Sequence, residues 1–310
     1  MIHIARRLAG PRLRALFLAS LIGLVAGGAV LVATEARAQQ AAPFTSDRLS
    51  VEVIGSGPDV ILIPGYASSR EVWRTEAERL SATHRVHTVQ LAGFAGEAWT
   101  HGDRPFLQPA LDELARYVRE GGLERPAVIG HSMGGLTALM LAQQSPDLIG
   151  RVMSVDSLPF FSALYGPTAT AGTAQPFADR AAEMMLTADP DSFRAGQAAG
   201  APGLARDPAT QAAMVEWAVA SDRQALATAI REVMTTDARP GLAAMTTPAW
   251  AVYAADDNGG APAAMADQMW AREWAGLPGV TLRRVDNSRH FIMADQPEAF
   301  ADLVDAFLAE

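Results

Sequence analysis

The stretch that decides the fold is Ala127-Val128-Ile129-Gly130-His131-Ser132-Met133-Gly134-Gly135. An apolar run precedes the serine and a helical pattern follows it, so Ser132 stands at a strand-to-helix corner. Glycines two positions before and after Ser132 suit a turn with strained backbone angles and no room for β-carbons. The pattern predicts that the Ser132 hydroxyl projects from this corner, where a substrate and a base can reach it.

Strand and helix patterns alternate along the chain on both sides of this corner. The later predicted strands are apolar throughout rather than at every second residue, which is typical of strands buried on both faces. We therefore predict an α/β fold with a mostly parallel central sheet and helices on both faces. The predicted strands cover residues 49–54, 60–63, 86–91, 127–129, 152–155, 249–253 and 280–285.

The alternation is interrupted between about Leu158 and Thr247, where Ala- and Met-rich helical segments are broken by prolines. A helical insertion at the ends of parallel strands would lie over Ser132 as a cap. Flexible methionines suit an adaptable apolar pocket. The cap residues predicted to line such a pocket are Met184, Met185, Met214, Trp217 and Met234.

A serine hydroxyl is a poor nucleophile at neutral pH and needs an adjacent base, which is itself oriented by an acid. If serine, acid and histidine follow in this order, only His290 lies downstream of Ser132. His290 stands in a polar loop after the predicted strand 280–285, where its side chain can reach the ends of neighbouring strands. We therefore predict that His290 is the base.

Three aspartates at strand ends are candidates for the acid. Asp256 and Asp257 follow strand 249–253, and Asp156 ends strand 152–155. Asp257 is preferred, Asp256 is the second choice, and Asp156 is a third possibility because it could reach the same histidine from the adjacent strand.

A nucleophilic serine also requires donors for the oxyanion that forms during acyl transfer. One predicted donor is the backbone N–H of Met133, which begins the helix after the corner. The other is the backbone N–H of Tyr66, in the turn after strand 60–63.

The first 38 residues have the layout of a secretory signal peptide. Arginines precede an apolar stretch over residues 15–33, and Ala36-Arg37-Ala38 supplies the small residues of a cleavage site. We predict cleavage after Ala38, a linker over residues 39–47 and one domain over residues 48–310, exported to the periplasm or secreted. The alternative is an uncleaved anchor that holds the chain on the inner membrane through residues 15–33.

Composition excludes several classes of function. The 310 residues carry 34 Asp and Glu against 25 Lys and Arg, a net charge of -9, which disfavours a nucleic-acid partner. No cysteine and no lysine occur, so disulfides, Schiff-base chemistry and a P-loop lysine are excluded. We expect no cofactor and no metal, a small ester or acyl compound as substrate, and membrane contact only through an uncleaved N-terminal segment.

From about Leu49 to Glu310 the chain resembles the α/β-hydrolase superfamily, as an exported bacterial member. The matching motifs are Pro64-Gly65-Tyr66, Gly-His-Ser-Met-Gly-Gly at 130–135, the strand ending in Asp256-Asp257, and Ser288-Arg289-His290-Phe291. Two positions depart from the family: Pro64 replaces a common histidine, and Gln90 replaces a common aspartate.

The resemblance implies a Ser132, Asp257 and His290 triad, a helical cap after the sixth strand of the family, and cleavage of carboxylic esters through an acyl-enzyme. Thioesterase, lactonase and amidase activities share this machinery. A different class of function is a non-catalytic exported protein that binds an apolar ligand in the capped pocket. An intact triad counts against that alternative, because binding alone does not need these three residues.

Overall fold

A seven-stranded sheet is the centre of the computed structural model, which describes residues 44–310. The order of its strands is β1-β3-β2-β4-β5-β6-β7. Only β1 runs antiparallel to its neighbour, and all other pairs are parallel. The strands are β1 (Leu49–Gly55), β2 (Asp59–Ile63), β3 (Arg85–Leu91), β4 (Ala127–His131), β5 (Arg151–Val155), β6 (Ala249–Ala255) and β7 (Thr281–Asp286).

Within residues 44–310, ten α-helices connect and cover these strands. They are α1 (Arg74–Leu80), α2 (Leu107–Glu120), α3 (Met133–Gln144), α4 (Ala171–Thr187), α5 (Pro190–Leu204), α6 (Pro208–Ala220), α7 (Arg223–Thr235), α8 (Ala263–Glu273), α9 (Ile292–Asp295) and α10 (Pro297–Ala309). Three short 3-10 helices complete the described chain: Arg70–Trp73, Phe161–Tyr165 and Arg239–Ala244.

The central strands are apolar because helices cover both faces of the sheet. Val128 and Ile129 of β4 point to opposite faces, and both are fully buried. Each belongs to a different cluster of buried side chains, one on each side of the sheet. The predicted parallel sheet with helices on both faces is therefore confirmed.

A helical insertion, α4 to α7, lies between β5 and β6. Its helices begin where polar side chains accept hydrogen bonds from the first turns: Thr170, Asp189, Asp207 and Asp222 are the N-caps. Prolines that break the helical pattern in the sequence open α5 and α6, where the missing N–H is not needed. The cap predicted for about 158–247 corresponds to this insertion.

The three central strands do not end at the same level. His131 of β4 pairs with Val155 of β5, and Val155 pairs with Val252 of β6. β4 and β5 therefore end side by side, whereas β6 continues for a further three residues to Ala255. At about 3.3 Å per residue, this carries the residues that follow β6 about 10 Å beyond the end of β5.

The predicted signal segment, and the linker up to residue 43, lie outside the described residues. Cleavage, export and the alternative membrane anchor therefore stay predictions. Within residues 44–310, no helix is both long and apolar enough to cross a bilayer.

Candidate active site

The corner after β4 holds Ser132 in a backbone conformation that is rare for a residue with a side chain. Its φ is 55° and its ψ is -122°. A β-carbon on Gly130 would lie 2.1 Å from the carbonyl oxygen of Gly134, and one on Gly134 would lie 2.4 Å from that of Ile63. Both glycines are therefore required by close backbone contacts, as the sequence predicted. A strained serine of this kind costs about 1–3 kcal/mol and is typical of functional sites.

His290 is held by the carboxylate of Asp156. The His290 Nδ1–H donates a hydrogen bond to Asp156 Oδ2 over 2.7 Å, while Asp156 Oδ1 accepts one from the Ala254 N–H at 3.0 Å. The two side chains are 24% and 13% exposed, so substrate can approach the histidine while the carboxylate is largely covered. This pairing fixes the ring and leaves Nε2 as the nitrogen available to a reacting proton.

The preference for Asp257 as the partner of His290 is corrected by this geometry. Asp257 is exposed, and its Oδ1 accepts a hydrogen bond from the Ala263 N–H at the start of α8. Asp256, the second choice, is buried and faces Arg206 and Arg289 instead. Both aspartates come after the last three residues of β6, which extend beyond the end of β5. Asp156 directly follows β5 and therefore lies at the level of the Ser132 corner.

Ser132 and His290 line the same two cavities. Among the described residues no hydrogen bond joins the Ser132 hydroxyl to His290. Such bonds are often long without substrate and tighten in the complex. The structure therefore brings together three of the residues singled out in the sequence: Ser132, Asp156 and His290.

Each of the two residues predicted to supply an oxyanion donor lines a cavity that Ser132 also lines. Met133 lines one cavity and Tyr66 lines the other. Within the described chain, neither backbone N–H makes a hydrogen bond, so both can donate to a ligand. The turn before Tyr66 packs directly on the serine, since a β-carbon on Gly65 would lie 3.0 Å from Ser132 Cβ.

Two cavities lie beside Ser132, and Phe161, Leu204 and Val233 line both of them. Cavity A, about 330 Å³, continues toward α8 and its residues Met265, Met269 and Trp270. Cavity B, about 250 Å³, continues toward α6 and α7 and includes Met214, Ala218 and Ile230.

The prediction for the pocket methionines is correct only for Met214. Met184 is 56% exposed and Met234 is buried away from both cavities. Met185 and Trp217 pack against the core clusters. The residues of α8 were missed because their helical pattern in the sequence does not distinguish a pocket wall from an ordinary core face.

Charge is scarce in both cavities. Among the described residues, those lining cavity B include no Asp, Glu or Arg, and those lining cavity A include only Asp156 and Arg289 as charged side chains. The Arg289 guanidinium is already occupied by the Asp256 carboxylate and by the carbonyl oxygens of Pro202 and Asn258. Burial acts to raise the pKa of Asp256, but the Asn258 N–H and the nearby guanidinium groups outweigh it and keep this pKa below its usual value.

His131 supports the site from behind. Its Nε2–H donates to the carbonyl oxygen of His290 at 3.0 Å, and its ring lies 4.5 Å from the His290 ring between centroids. His131 is 1% exposed. Burial, aided by the nearby His290, lowers the pKa of His131 well below its usual value. The ring is therefore neutral in the folded protein.

We expect the free energy of unfolding to fall as the pH decreases from about 7 to about 5. The folded chain keeps His131 unprotonated, whereas a histidine in the unfolded chain takes up a proton near pH 6.5. The stability from this residue is therefore present above that pH and is lost below it, with a slope of at most about 1.36 kcal/mol per pH unit. Urea unfolding of the parent and His131→Gln at several pH values measures the difference in slope.

Two other histidines define the control for this experiment. The partly exposed His84 lies outside the active site and shares a side-chain hydrogen bond with Thr83, so His84→Gln is the matched control for a histidine-to-glutamine change. Burial also lowers the pKa of His87, so part of the slope should survive in His131→Gln. An unchanged slope in His131→Gln would contradict the assigned protonation state.

Comparison with known proteins identifies the family. The family model described as "Alpha/beta hydrolase family" matches residues 60–303. The chain therefore belongs to the alpha/beta hydrolase family, and both the predicted fold and the prediction of a hydrolase are confirmed.

Among curated proteins, the chain is similar to the pimeloyl-[acyl-carrier protein] methyl ester esterase of Aliivibrio fischeri, with 32% identity over 206 residues. This match covers 64% of the chain and 75% of the relative.

Solved structures with the same fold include an enol-lactonase from Burkholderia xenovorans LB400 and a thermophilic esterase from Thermogutta terrifontis. Each has a TM-score of 0.69, at 20% and 21% identity respectively. Each match covers 84% of the chain, together with 96% of the lactonase and 93% of the esterase.

Proposed function

We propose that this protein hydrolyses carboxylic esters with Ser132 as nucleophile, His290 as base and Asp156 as the acid that orients it. The observation that carries the proposal is the 2.7 Å hydrogen bond from His290 to Asp156, next to a serine with a φ of 55°. The similarity to an ester hydrolase over 64% of the chain supports esters as the substrate class.

The reaction follows from the placement of these groups. The Ser132 oxygen attacks the ester carbonyl while His290 Nε2 takes its proton and then delivers it to the leaving alcohol. Asp156 keeps the proton on Nδ1 and stabilises the imidazolium that forms. The oxyanion accepts hydrogen bonds from the N–H groups of Met133 and Tyr66, each worth about 3 kcal/mol. Water activated by His290 then releases the acid.

The cavities indicate a neutral substrate with an apolar group on each side of the ester. Cavity A and cavity B meet at Ser132, so one can hold the acyl chain and the other the alcohol. Arg289, the one cationic side chain among the residues described around cavity A, is already paired with Asp256. An ionised group at the far end of either arm would lose hydration without gaining a partner.

We therefore expect a strong preference for uncharged esters. An ester that ends in a free carboxylate should have a kcat/KM about 100-fold lower than a neutral ester of equal length, since an unpaired buried charge costs about 3 kcal/mol. The measurement compares the monoester of a dicarboxylic acid with its neutral methyl diester. Equal kcat/KM values for the two would contradict a pocket that offers no free cation to a carboxylate.

A panel of acyl compounds tests the reaction class itself. Thioesters, lactones and amides of matched acyl length are measured beside the esters, because the same triad can serve all four. Hydrolysis of esters alone, or of esters fastest, supports the proposal. Turnover of one of the other classes with none of the esters would overturn it.

A further inference from the structure

The loop that carries His290 is joined directly to the inserted cap. The Phe291 N–H donates to the carbonyl oxygen of Leu204 at the end of α5, over 3.1 Å. The Arg289 guanidinium donates to the carbonyl oxygen of Pro202, two residues before Leu204. Residues on both sides of His290 thus contact the segment that enters the connection between α5 and α6.

A buried carboxylate, Asp256, strengthens this junction. It is 1% exposed, and its Oδ2 accepts a hydrogen bond from Arg289 Nε at 3.0 Å. Its Oδ1 accepts one from Arg206 Nη1 at 3.3 Å. Asp256 therefore holds one residue of the histidine loop and one residue of the connection between α5 and α6.

A second carboxylate, Asp295 at the end of α9, repeats the same arrangement through backbone groups. Its Oδ2 accepts a hydrogen bond from the Arg289 N–H at 2.8 Å. Its Oδ1 accepts hydrogen bonds from the N–H groups of Arg206 at 2.7 Å and Asp207 at 3.1 Å. Two separate carboxylates thus join the same two segments of chain.

We propose that Asp256 and Asp295 are positioning residues that hold the His290 loop and the cap segment 202–207 together. We call these two aspartates, with the two segments that they join, the clamp. The inference rests on the proposed role of His290 as base. Leu204 lies in the clamp and lines both cavities. A substrate that displaces Leu204 therefore moves the loop that carries the base, so the fit of the substrate in the cap is coupled to the position of His290.

The clamp adds to other contacts of the histidine loop. The Ser288 N–H donates to the carbonyl oxygen of Ala255, and His131 Nε2–H donates to that of His290. The loop leaves β7 through Asn287, whose φ is 55°, and its histidine makes one side-chain hydrogen bond, to Asp156. A displacement of about 1 Å in a catalytic group can reduce the rate about 100-fold. Weakening the clamp should therefore affect kcat more than KM.

The test compares Asp256→Asn and Asp295→Asn with Asp257→Asn as the matched control. Asp257 is the adjacent aspartate, exposed and outside the clamp, and an asparagine there keeps the oxygen that accepts from Ala263. We expect kcat to fall about 10- to 100-fold in the two clamp variants, with KM changed by less, and to stay near the parent value in Asp257→Asn. Kinetics use a neutral p-nitrophenyl ester.

Amide hydrogen exchange gives a second readout that needs no turnover. The Phe291 N–H reports the contact with Leu204, so its exchange should quicken in both clamp variants together with the amides of residues 204–207. The strands β4 and β5 should keep the exchange of the parent. Asparagine at position 295 keeps one acceptor oxygen. If Asp256→Asn does not fold, Asp295→Asn therefore provides the test of the clamp.

Two failures of this experiment have different meanings. If the parent chain hydrolyses no ester, the proposed function fails, while the exchange data still decide whether the clamp joins the two segments. If the parent is active but the clamp variants match Asp257→Asn in both kcat and Phe291 exchange, the clamp is overturned.

Discussion

Replacing Ser132 with alanine should lower kcat for a p-nitrophenyl ester by about a millionfold, the loss found when a triad nucleophile is removed. The reason is that no acyl-enzyme can form without the serine oxygen. The loss corresponds to about 8 kcal/mol of transition-state stabilisation. The backbone of the corner should persist, since Gly130 and Gly134 are unchanged. Single-turnover and steady-state assays measure the rates, and circular dichroism measures the fold.

The control for this variant is a serine with no place in the site. Ser81 lines neither cavity. It follows the last residue of α1, and its hydroxyl donates to the carbonyl oxygen of Glu78 in the same helix. Ser81→Ala should therefore retain the parent activity. Equal rates in Ser132→Ala and the parent, with a contaminating esterase excluded, would refute the serine mechanism and with it the proposed function.

The fold could be predicted from the sequence because its periodicity is strong. Each predicted strand overlaps an observed one, since strands buried on both faces form uninterrupted apolar runs such as 60–63 and 127–129. The Ser132 corner could be predicted for a different reason. Its glycines report backbone contacts that no other residue allows, so the local sequence alone determines the turn.

The partner of His290 could not be decided in this way. Both Asp156 and Asp257 follow apolar strands, and the local pattern around each is equally suitable. The choice depends on how far β6 extends past β5, which is set by the pairing of Val155 with Val252. Register between distant strands is a tertiary property. The resemblance to the family implied Asp257, and it carried no information on this register.

The pocket walls and the clamp were also beyond sequence reasoning. Trp270 and Met269 of α8 follow the same helical spacing as core residues. That they line cavity A depends on how α8 packs in the folded chain, which the spacing does not reveal. The clamp joins Arg206, Asp256 and Asp295, which lie far apart in the chain and carry no motif. Charged residues are usually solvated, so nothing in their local sequence marks these three as partners of one another.

Asp156→Asn should reduce kcat/KM by about 10⁴-fold while the chain stays folded. Asparagine keeps the shape of the side chain and can still accept from Ala254 through its oxygen, but it can place an amide group toward His290 Nδ1. The ring then favours the tautomer with its proton on Nε2, and that nitrogen can no longer take the proton of Ser132. Steady-state kinetics with a neutral ester measure the loss.

Three asparagine variants separate the acid from its neighbours by the size of their effects. Asp156→Asn should lose about 10⁴-fold and Asp256→Asn about 10- to 100-fold, whereas Asp257→Asn should resemble the parent. The order follows from distance to the reaction: Asp156 contacts the base, Asp256 contacts the residue beside the base, and Asp257 contacts neither. A larger loss in Asp257→Asn than in Asp156→Asn would show that the acid follows β6 after all, and that the hydrogen bond between Asp156 and His290 has no catalytic role.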